Sequence, residues 1–231
     1  MCGRKNESEI EKEQDKEMYK YILFDLDGTL TNPEIGITSS VMYALEKFNI
    51  KVEDRKELHP FIGPPLDYSF QTYYGLSEEE SEQAIKYYRE RFSVKGLYEN
   101  EVYDGVEKML QELKKSGKTL IIATSKPEEF TLKILEHFDL LKYFDFVAGA
   151  TMDGSRGEKA DVIRYALEIS GIEDKSQAIM VGDRKYDILG AKENGLDSIG
   201  VLFGFGDREE LSEAGAKHIA ETVDDIAKYI L

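Results

Sequence analysis

A chain of 231 residues with 41% hydrophobic and 33% charged residues has a composition typical of globular proteins and is long enough to bury a substantial core. Its formal net charge of -16 argues against a nucleic-acid surface, because binding to phosphate backbones requires clustered Lys and Arg. No apolar run approaches the length of a membrane span, and the single cysteine, Cys2, fits a reducing compartment, so we expect a cytoplasmic protein without membrane contact.

The first 18 residues are rich in Glu and Lys and carry no clear helical stripe of apolar side chains. We therefore expect residues 1–18 to form a disordered or loosely helical charged extension. They also lack the apolar stretch of a secretory signal, so export is not expected.

An apolar run, Tyr21 to Phe24, is followed by Asp25, Asp27 and Gly28. Such a run is typical of a buried parallel strand, which delivers charged groups to the carboxyl edge of the sheet, where α/β proteins bind ligands. The two carboxylates project to the same side of an extended chain, so that one can attack a substrate while the other moves a proton. A solvated Asp-Gly turn at the end of a strand explains this short motif equally well.

Residues 33–101 have an all-helical pattern, with apolar residues at helical spacing over Ile37–Phe48 and Glu78–Phe92. Between these helices, a Pro- and Gly-rich loop from His59 to Asp67 can present backbone and side chains to a substrate. A plain connector between helices explains the loop equally well. Three of its residues are candidates for substrate specificity: His59, Gly63 and Pro64.

After Tyr103 helices alternate with short apolar strands, which indicates βαβ units and a parallel sheet with helices on both faces. The predicted strands are Thr119–Ala123, Phe146–Gly149, Ala178–Val181 and Ser198–Leu202. The predicted helices are Val106–Ser116, Glu128–Phe138, Lys159–Ser170, Ile188–Asn194 and Val223–Ile230. We therefore predict an α/β, Rossmann-like core of residues 19–32 and 102–231, with residues 33–101 inserted as an all-helical cap over the carboxyl edge.

Two further strand ends carry polar groups suited to a phosphate and a metal. Thr124 and Ser125 precede a helix whose start has the spacing of a capping box, and a helix amino terminus beside a hydroxyl can hold a phosphate. Helix capping alone explains this segment too. Asp183 and Asp187 follow another strand, and carboxylates that converge on Asp25 would repel one another unless a divalent cation such as Mg²⁺ lay among them.

Lys159 opens a predicted helix, where its charge opposes the helix dipole. Its position therefore lacks an obvious structural motive, and it could supply positive charge to the site. A lysine on its own would more often be a surface residue.

Four motifs in this order resemble those of the haloacid dehalogenase superfamily: Asp25-x-Asp27-Gly-Thr, Thr124, Lys159 and Gly182-Asp183-x-x-x-Asp187. The similarity covers residues 20–231 and is greatest to the phosphoglycolate phosphatase and 5′-nucleotidase type, which has a helical cap between the first two motifs. The resemblance implies a Mg²⁺-dependent phosphatase that hydrolyses a small phosphomonoester, phosphoglycolate or a nucleoside 5′-monophosphate, through an aspartyl-phosphate.

The resemblance also implies a role for each motif residue. Asp25 would attack phosphorus, and Asp27 would protonate the leaving oxygen and then deprotonate the hydrolytic water. Thr124, the Ser125 amide and Lys159 would bind phosphate, and Lys159 would also stabilise the charge of the nucleophile. The implied metal ligands are Asp25, the main-chain carbonyl of Asp27, Asp183 and, through water, Asp187.

Two departures from the family pattern bear on the substrate. Ala160 follows Lys159 where many phosphoglycolate phosphatases have proline, and Ser125 stands where many relatives have asparagine. Asp27 itself separates the chain from the dehalogenases and ion-pumping ATPases of the superfamily, which lack an aspartate there. Two alternatives stay open, namely a sugar phosphomutase of the β-phosphoglucomutase type and a non-catalytic regulatory or binding protein.

The expected partner is a small phosphorylated metabolite, with no nucleic-acid polymer and no membrane, and the expected oligomeric state is a monomer or weak homodimer. We also expect the cap to close on the core by hinges at Pro33 and near Asn100 to Tyr103.

Overall fold

The computed structural model describes residues 19–231, so the predicted charged extension, residues 1–18, lies outside the described residues. A six-stranded sheet in the order β5-β4-β1-β6-β7-β8 forms its centre, and every pair of neighbouring strands is parallel. The strands are β1 (Tyr21–Phe24), β4 (Thr119–Pro127), β5 (Phe146–Ala150), β6 (Ala178–Gly182), β7 (Asp197–Val201) and β8 (His218–Ala220). The predicted α/β, Rossmann-like fold class is confirmed.

Nine α-helices lie within residues 19–231. Three lie within residues 33–101: α1 (Glu34–Glu46), α2 (Leu66–Tyr74) and α3 (Glu78–Arg91). The others follow or connect its strands: α4 (Val106–Lys115), α5 (Glu128–His137), α6 (Lys159–Ser170), α7 (Lys185–Glu193), α8 (Arg208–Ala214) and α9 (Val223–Ile230). None of these helices combines the length and apolar character that crossing a membrane requires.

The sheet is buried on both faces because successive strand residues point to opposite sides. In β1, Ile22 and Phe24 join an apolar cluster that includes residues of α4, α5 and α9, whereas Leu23 joins a second cluster with residues of α6. All three β1 side chains are fully buried. The central strand therefore has the continuous apolar sequence from which it was predicted.

The segment of residues 33–101, here called the cap, leaves the core at a short two-stranded ladder. Strands β2 (Thr31–Asn32) and β3 (Glu101–Val102) pair in antiparallel fashion, so the two ends of the cap lie side by side. Within the cap, the chain forms a 3₁₀ turn over Arg55–Phe61, and α3 continues into a π-helical turn over Phe92–Gly96.

The predicted capping box at the start of α5 is wrong. Strand β4 continues through Pro127 with an irregular register after Thr124, and α5 begins at Glu128 with no side-chain cap hydrogen bond. Because the extended backbone of β4 reaches that far, Ser125 belongs to the strand end. Five helices and strands are absent from the sequence prediction: the helices α2 and α8, the edge strand β8, and the two short strands β2 and β3.

Candidate active site

The carboxyl ends of β1, β4 and β6 form one edge at which the predicted motif residues meet. In register, Phe24 of β1 lies between Ile122 of β4 and Val181 of β6, and the Asp25 N–H donates to the Val181 carbonyl at 2.9 Å. Asp25 and Asp183 thus follow β1 and β6 directly, and Thr124 lies in the last part of β4 between them and β5. All three side chains are buried.

Lys159, the first residue of α6, lies between two of the carboxylates. Its Nζ is 2.9 Å from Asp25 Oδ1 and 2.8 Å from Asp187 Oδ1, and it donates to the Ala123 carbonyl at 3.2 Å. Burial disfavours the ammonium, but the carboxylates of Asp187 and Asp25 outweigh that effect, so the pKa of Lys159 is raised. The lysine is therefore ionised, with its charge held against the candidate nucleophile.

Asp183 is fully buried, and two neighbouring glycines leave room for its side chain. A Cβ at Gly28, whose φ of 82° favours glycine, would collide with the Asp183 carboxylate, and a Cβ at Gly204 would also collide with Asp183. The Phe205 N–H donates to Asp183 Oδ2 at 2.8 Å, whereas the buried Oδ1 has no hydrogen-bond partner within the described residues. One oxygen is thus fixed by the backbone and the other remains for a ligand.

Asp25, Asp183 and Asp187 can place one carboxylate oxygen each within 4.8 Å of one another. Burial, together with Asp187 and Asp25, raises the pKa of Asp183 well above its usual range, and burial raises the pKa of Asp187 from 3.8 to about 6. When Asp25, Asp183 and Asp187 are all ionised, the single ammonium of Lys159 leaves two negative charges unbalanced. A carboxylate donor set with an unpartnered Asp183 oxygen fits a hard divalent cation.

Asp27, two residues after Asp25, is paired with a lysine that the sequence motifs do not include. Lys126 Nζ lies 2.7 Å from Asp27 Oδ2, and both residues are at most 9% exposed. Burial raises the pKa of Asp27, with Lys126 opposing the shift and Asp25 adding to it. A carboxyl with a raised pKa can hold a proton nearer neutral pH and is suited to acid and base chemistry.

A cavity of about 540 Å³ opens over this edge, between the core and the cap. The residues that line it from the core side include Asp25, Asp27, Thr124, Ser125 and Lys126. From the cap, its lining includes Phe61, Gly63, Pro64, Ile85, Lys86, Tyr88, Arg89 and Phe92. Arg89 also donates to the Met152 carbonyl at 3.0 Å, which ties α3 to the core loop opposite.

The three candidate specificity residues lie in different surroundings. Gly63 and Pro64 line the cavity, but His59 is not among its lining residues. The His59 Nε2 lies 2.9 Å from Glu34 Oε1, and its ring packs edge-on against Phe205 at 5.5 Å. The structure therefore places Gly63 and Pro64, but not His59, at the cavity.

Two contributions to the site have no clear signal in the sequence. Lys126 stands in Ser-Lys-Pro-Glu, a pattern typical of a helix start, and only the fold brings it to Asp27. The segment Phe203 to Gly206 lacks the glycine spacing of a dinucleotide-binding loop. Gly204 and Gly206 lie against Asp183 in the fold, and these two glycines are the sequence feature that could have drawn attention to the segment.

Comparison with known proteins gives a consistent set of relatives. A model of haloacid dehalogenase-like hydrolases matches residues 22–201. The chain is 46% identical over 193 residues to a 5′-nucleotidase of Pseudomonas aeruginosa, covering 84% of this chain and 87% of that protein. It is 36% identical to the tyrosine-protein kinase PtkA of Mycobacterium tuberculosis, over 89% of this chain and 70% of that protein.

A solved structure extends the similarity to the whole described fold. The crystal structure of a predicted phosphatase from Clostridium acetobutylicum superposes with a TM-score of 0.89 at 53% sequence identity. The match covers 91% of this chain and 97% of that one. Core and cap are both included at that coverage.

Proposed function

The chain belongs to the haloacid dehalogenase-like hydrolase family and is a phosphatase, and we propose that it hydrolyses a small phosphomonoester through an aspartyl-phosphate on Asp25, with Mg²⁺ bound beside it. The resemblance and enzyme class predicted from the sequence are thereby confirmed. The observation that carries the proposal is the buried group of Asp25, Asp183, Asp187 and Lys159 beneath a cavity.

In the first step, the Asp25 carboxylate attacks phosphorus while the bond from phosphorus to the ester oxygen breaks. The electron pair of that bond stays on the ester oxygen, which takes a proton from Asp27 and leaves as an alcohol. The Lys159 ammonium, 2.9 Å from Asp25 Oδ1, orients the nucleophile and balances charge. Thr124 and the Ser125 amide would hold phosphoryl oxygens from the end of β4.

In the second step, water attacks the phosphorus of the aspartyl-phosphate and gives a proton to Asp27. The electron pair of the breaking bond returns to the Asp25 carboxylate, and inorganic phosphate leaves. Both aspartates are then restored, so ester and water have become alcohol and phosphate. The pKa of Asp27 is raised by burial, and this direction supports its role as proton donor and acceptor, because a raised pKa favours the protonated form that the first step requires.

Asp25, Asp183 and the main-chain carbonyl of Asp27 would hold Mg²⁺, with Asp187 reaching it through water. The cation, when bound, would withdraw electron density from the phosphoryl group and balance its negative charge. The protein has a formal net charge of -16, so an anionic ester requires such local positive charge.

We propose a nucleoside 5′-monophosphate as the substrate class, ahead of phosphoglycolate. The cavity volume of about 540 Å³ lies in the range of about 300 to 1,000 Å³ that holds drug-sized ligands. The rings of Phe61, Tyr88 and Phe92 among its lining residues suit a flat base, whereas the leaving group of phosphoglycolate has no ring to contact them. The 46% identical relative bears the name 5′-nucleotidase.

A substrate panel tests this proposal. Phosphate release would be measured with Mg²⁺ and with EDTA for nucleoside 5′-monophosphates, phosphoglycolate and hexose phosphates. We expect Mg²⁺-dependent release with the highest kcat/KM for a nucleoside 5′-monophosphate. No release from any ester would contradict the proposed reaction, and a higher kcat/KM for phosphoglycolate would contradict the proposed substrate class.

Two other outcomes would identify alternative reactions. Isomerisation of a hexose 1-phosphate without free phosphate would favour a phosphomutase. Labelled phosphate from ATP on a tyrosine peptide would favour the activity that names the mycobacterial relative.

A further inference from the structure

We infer that Lys126 positions the Asp27 carboxyl for proton transfer to the ester oxygen, so that this lysine affects catalysis through Asp27 and not by touching the substrate. The inference rests on the proposed function, because it assumes that Asp27 supplies the proton to the leaving group. Neither the four sequence motifs nor the assigned roles include Lys126.

The Lys126–Asp27 pair is enclosed and well defined. Lys126 is 8% exposed and Asp27 is 9% exposed, and 2.7 Å separates Nζ from Oδ2. Within residues 19–231, Lys126 is the only side chain that forms an ion pair with Asp27. A charge-assisted contact of this length in a buried setting fixes the rotation of the carboxyl group.

The pair engages only one of the two Asp27 oxygens. Oδ2 contacts Lys126, whereas the buried Oδ1 has no hydrogen-bond partner in the described part of the chain. Asp27 and Lys126 both line the cavity, but the Lys126 ammonium is held by Asp27 Oδ2 and the Phe92 ring. Oδ1 of Asp27 is therefore the oxygen of this pair that is available to reach the ester oxygen of a bound substrate. An unpartnered buried oxygen in a catalytic cavity is the feature expected of a group that completes its hydrogen bonding on the substrate.

The ammonium of Lys126 is also held from the cap. Its Nζ lies 4.6 Å from the centre of the Phe92 ring, at the start of the π-helical turn, and that ring stacks on Tyr88 at 5.1 Å. A carboxylate and an aromatic face both attract an ammonium, so few other positions are open to it. Lys126 thus connects the orientation of Asp27 to the placement of the last turn of the cap.

A leaving-group series tests the inference. The esters p-nitrophenyl phosphate, phenyl phosphate and p-methoxyphenyl phosphate have similar size, but p-nitrophenol leaves as a stabilised anion that needs little help from an acid. We would measure kcat/KM, which reports on the transfer to Asp25, for wild type and Lys126→Met. We expect a loss of at least about tenfold for the least acidic phenol and of less than about threefold for p-nitrophenyl phosphate.

The matched control is Lys133→Met, because Lys133 also pairs with a carboxylate, Glu129, and lies 5.8 Å from the centre of an aromatic ring, Phe130, but is exposed. We expect this variant to keep the wild-type values across the series. An equal loss across the series for Lys126→Met would overturn the inference, because a binding or purely structural role does not depend on the acidity of the phenol.

A double-mutant cycle gives a second readout, which separates an effect of Lys126 through Asp27 from a direct effect on the substrate. In an Asp27→Asn background, where the buried pair has already lost its carboxylate, adding Lys126→Met should change kcat/KM by less than about twofold. A further loss as large as in wild type would show that Lys126 acts on the substrate directly and would overturn the inference. Failure of the proposed function would appear separately, as undiminished turnover by Asp25→Asn.

Discussion

Asp183 contributes to this site an oxygen that no group within residues 19–231 contacts by a hydrogen bond. Its carboxylate is fully buried and lies against Gly28 and Gly204, so an ionised Asp183 has lost its interactions with bulk water. Metal binding is therefore the interaction that would stabilise it most.

We expect Mg²⁺ to raise the Tm of wild type, and we predict that Asp183→Asn abolishes this rise and lowers kcat by at least about a hundredfold. The reason is that an amide retains the shape but not the charge of the ligand. Activity assays and thermal denaturation with increasing Mg²⁺ would measure the two effects. Asp224→Asn, at an exposed carboxylate on α9, is the control and should retain both properties. A normal Mg²⁺ response in the Asp183 variant would contradict the metal assignment.

Asp187 gives a prediction about pH. Burial raises its pKa from 3.8 to about 6, so over this interval the folded protein binds a proton that the unfolded chain has released. The contribution of Asp187 to the free energy of unfolding therefore falls as the pH rises through about 4 to about 6. Asp187→Asn removes this contribution, while an amide oxygen can still accept from the Arg184 N–H.

In EDTA, the Tm difference between Asp187→Asn and wild type should move in favour of the variant as the pH rises from about 4 to about 7. Thermal denaturation at several pH values would measure it, with Asp224→Asn showing no such trend. A difference that moves in favour of wild type over the same interval would contradict the direction of the shift.

At the residue scale, the motif side chains could be predicted from the sequence because each stands at the end of an apolar run or at the start of a predicted helix. Asp25, Thr124 and Asp183 meet at one edge because β1, β4 and β6 are adjacent and parallel. Lys126 could not be found this way, because its two contacts, Asp27 and Phe92, depend on the irregular end of β4 and on the placement of the cap. His59 was predicted to contact the substrate because it lies in a rigid loop, but its Nε2 contacts Glu34 and the residue does not line the cavity.

At the scale of elements, Arg184 connects the loop after β6 to the cap. Its Nη1 donates to the Ile62 carbonyl at 2.6 Å and its Nε donates to Glu210 Oε1 at 3.0 Å. The adjacent cap residues Phe61 and Gly63 line the cavity. One guanidinium thus fixes part of the cavity wall relative to the loop that carries Asp183.

We predict that Arg184→Ala raises KM by about tenfold with a smaller change in kcat, because a hydrogen bond to a charged group contributes about 1.5–3 kcal/mol and this one orders a wall that contacts the leaving group. Steady-state kinetics on the best substrate of the panel would measure it. Arg208→Ala, which removes an exposed ion pair with Glu221, should leave both constants unchanged. A large fall in kcat at constant KM would contradict this role.

The elements that could be predicted are those with long or clearly periodic apolar patterns. Helix α6, for example, has the predicted bounds Lys159–Ser170. Strands β2 and β3 have two residues each, and β8 has three, which is too short for a periodic signal. Helix α2 has a weak apolar stripe because its aromatic residues are spread around it, with Phe70 fully buried and Tyr73 exposed.

At the scale of the whole molecule, the core and the cap share one apolar cluster. Phe61, Phe70 and Tyr88 of the cap belong to the same buried cluster as Phe24 and Val181 of the sheet. The cap is thus packed onto the core and not only attached through β2 and β3. A shared core favours cooperative unfolding, so we expect one thermal transition for the two parts.

Gly36→Ala tests this shared core. Gly36 is buried on α1, where a Cβ would collide with the Gly96 carbonyl of the π-helical turn. We predict that the substitution lowers the free energy of unfolding by about 1–3 kcal/mol, because packed backbone must move to make room. Calorimetry should show one transition at lower Tm, whereas Glu46→Ala at an exposed site on the same helix should change Tm little. A separate low-temperature transition for the cap would contradict the shared core.

Whether Asp25 is the nucleophile of a Mg²⁺-dependent phosphatase can be measured by comparing phosphate release by wild type and by Asp25→Asn. Both proteins would be purified in parallel, shown by circular dichroism to be folded, and assayed with Mg²⁺ on the best substrate of the panel. We predict turnover by wild type and only background release by the variant, because an amide cannot form the aspartyl-phosphate. Equal turnover by a folded Asp25→Asn variant would contradict it.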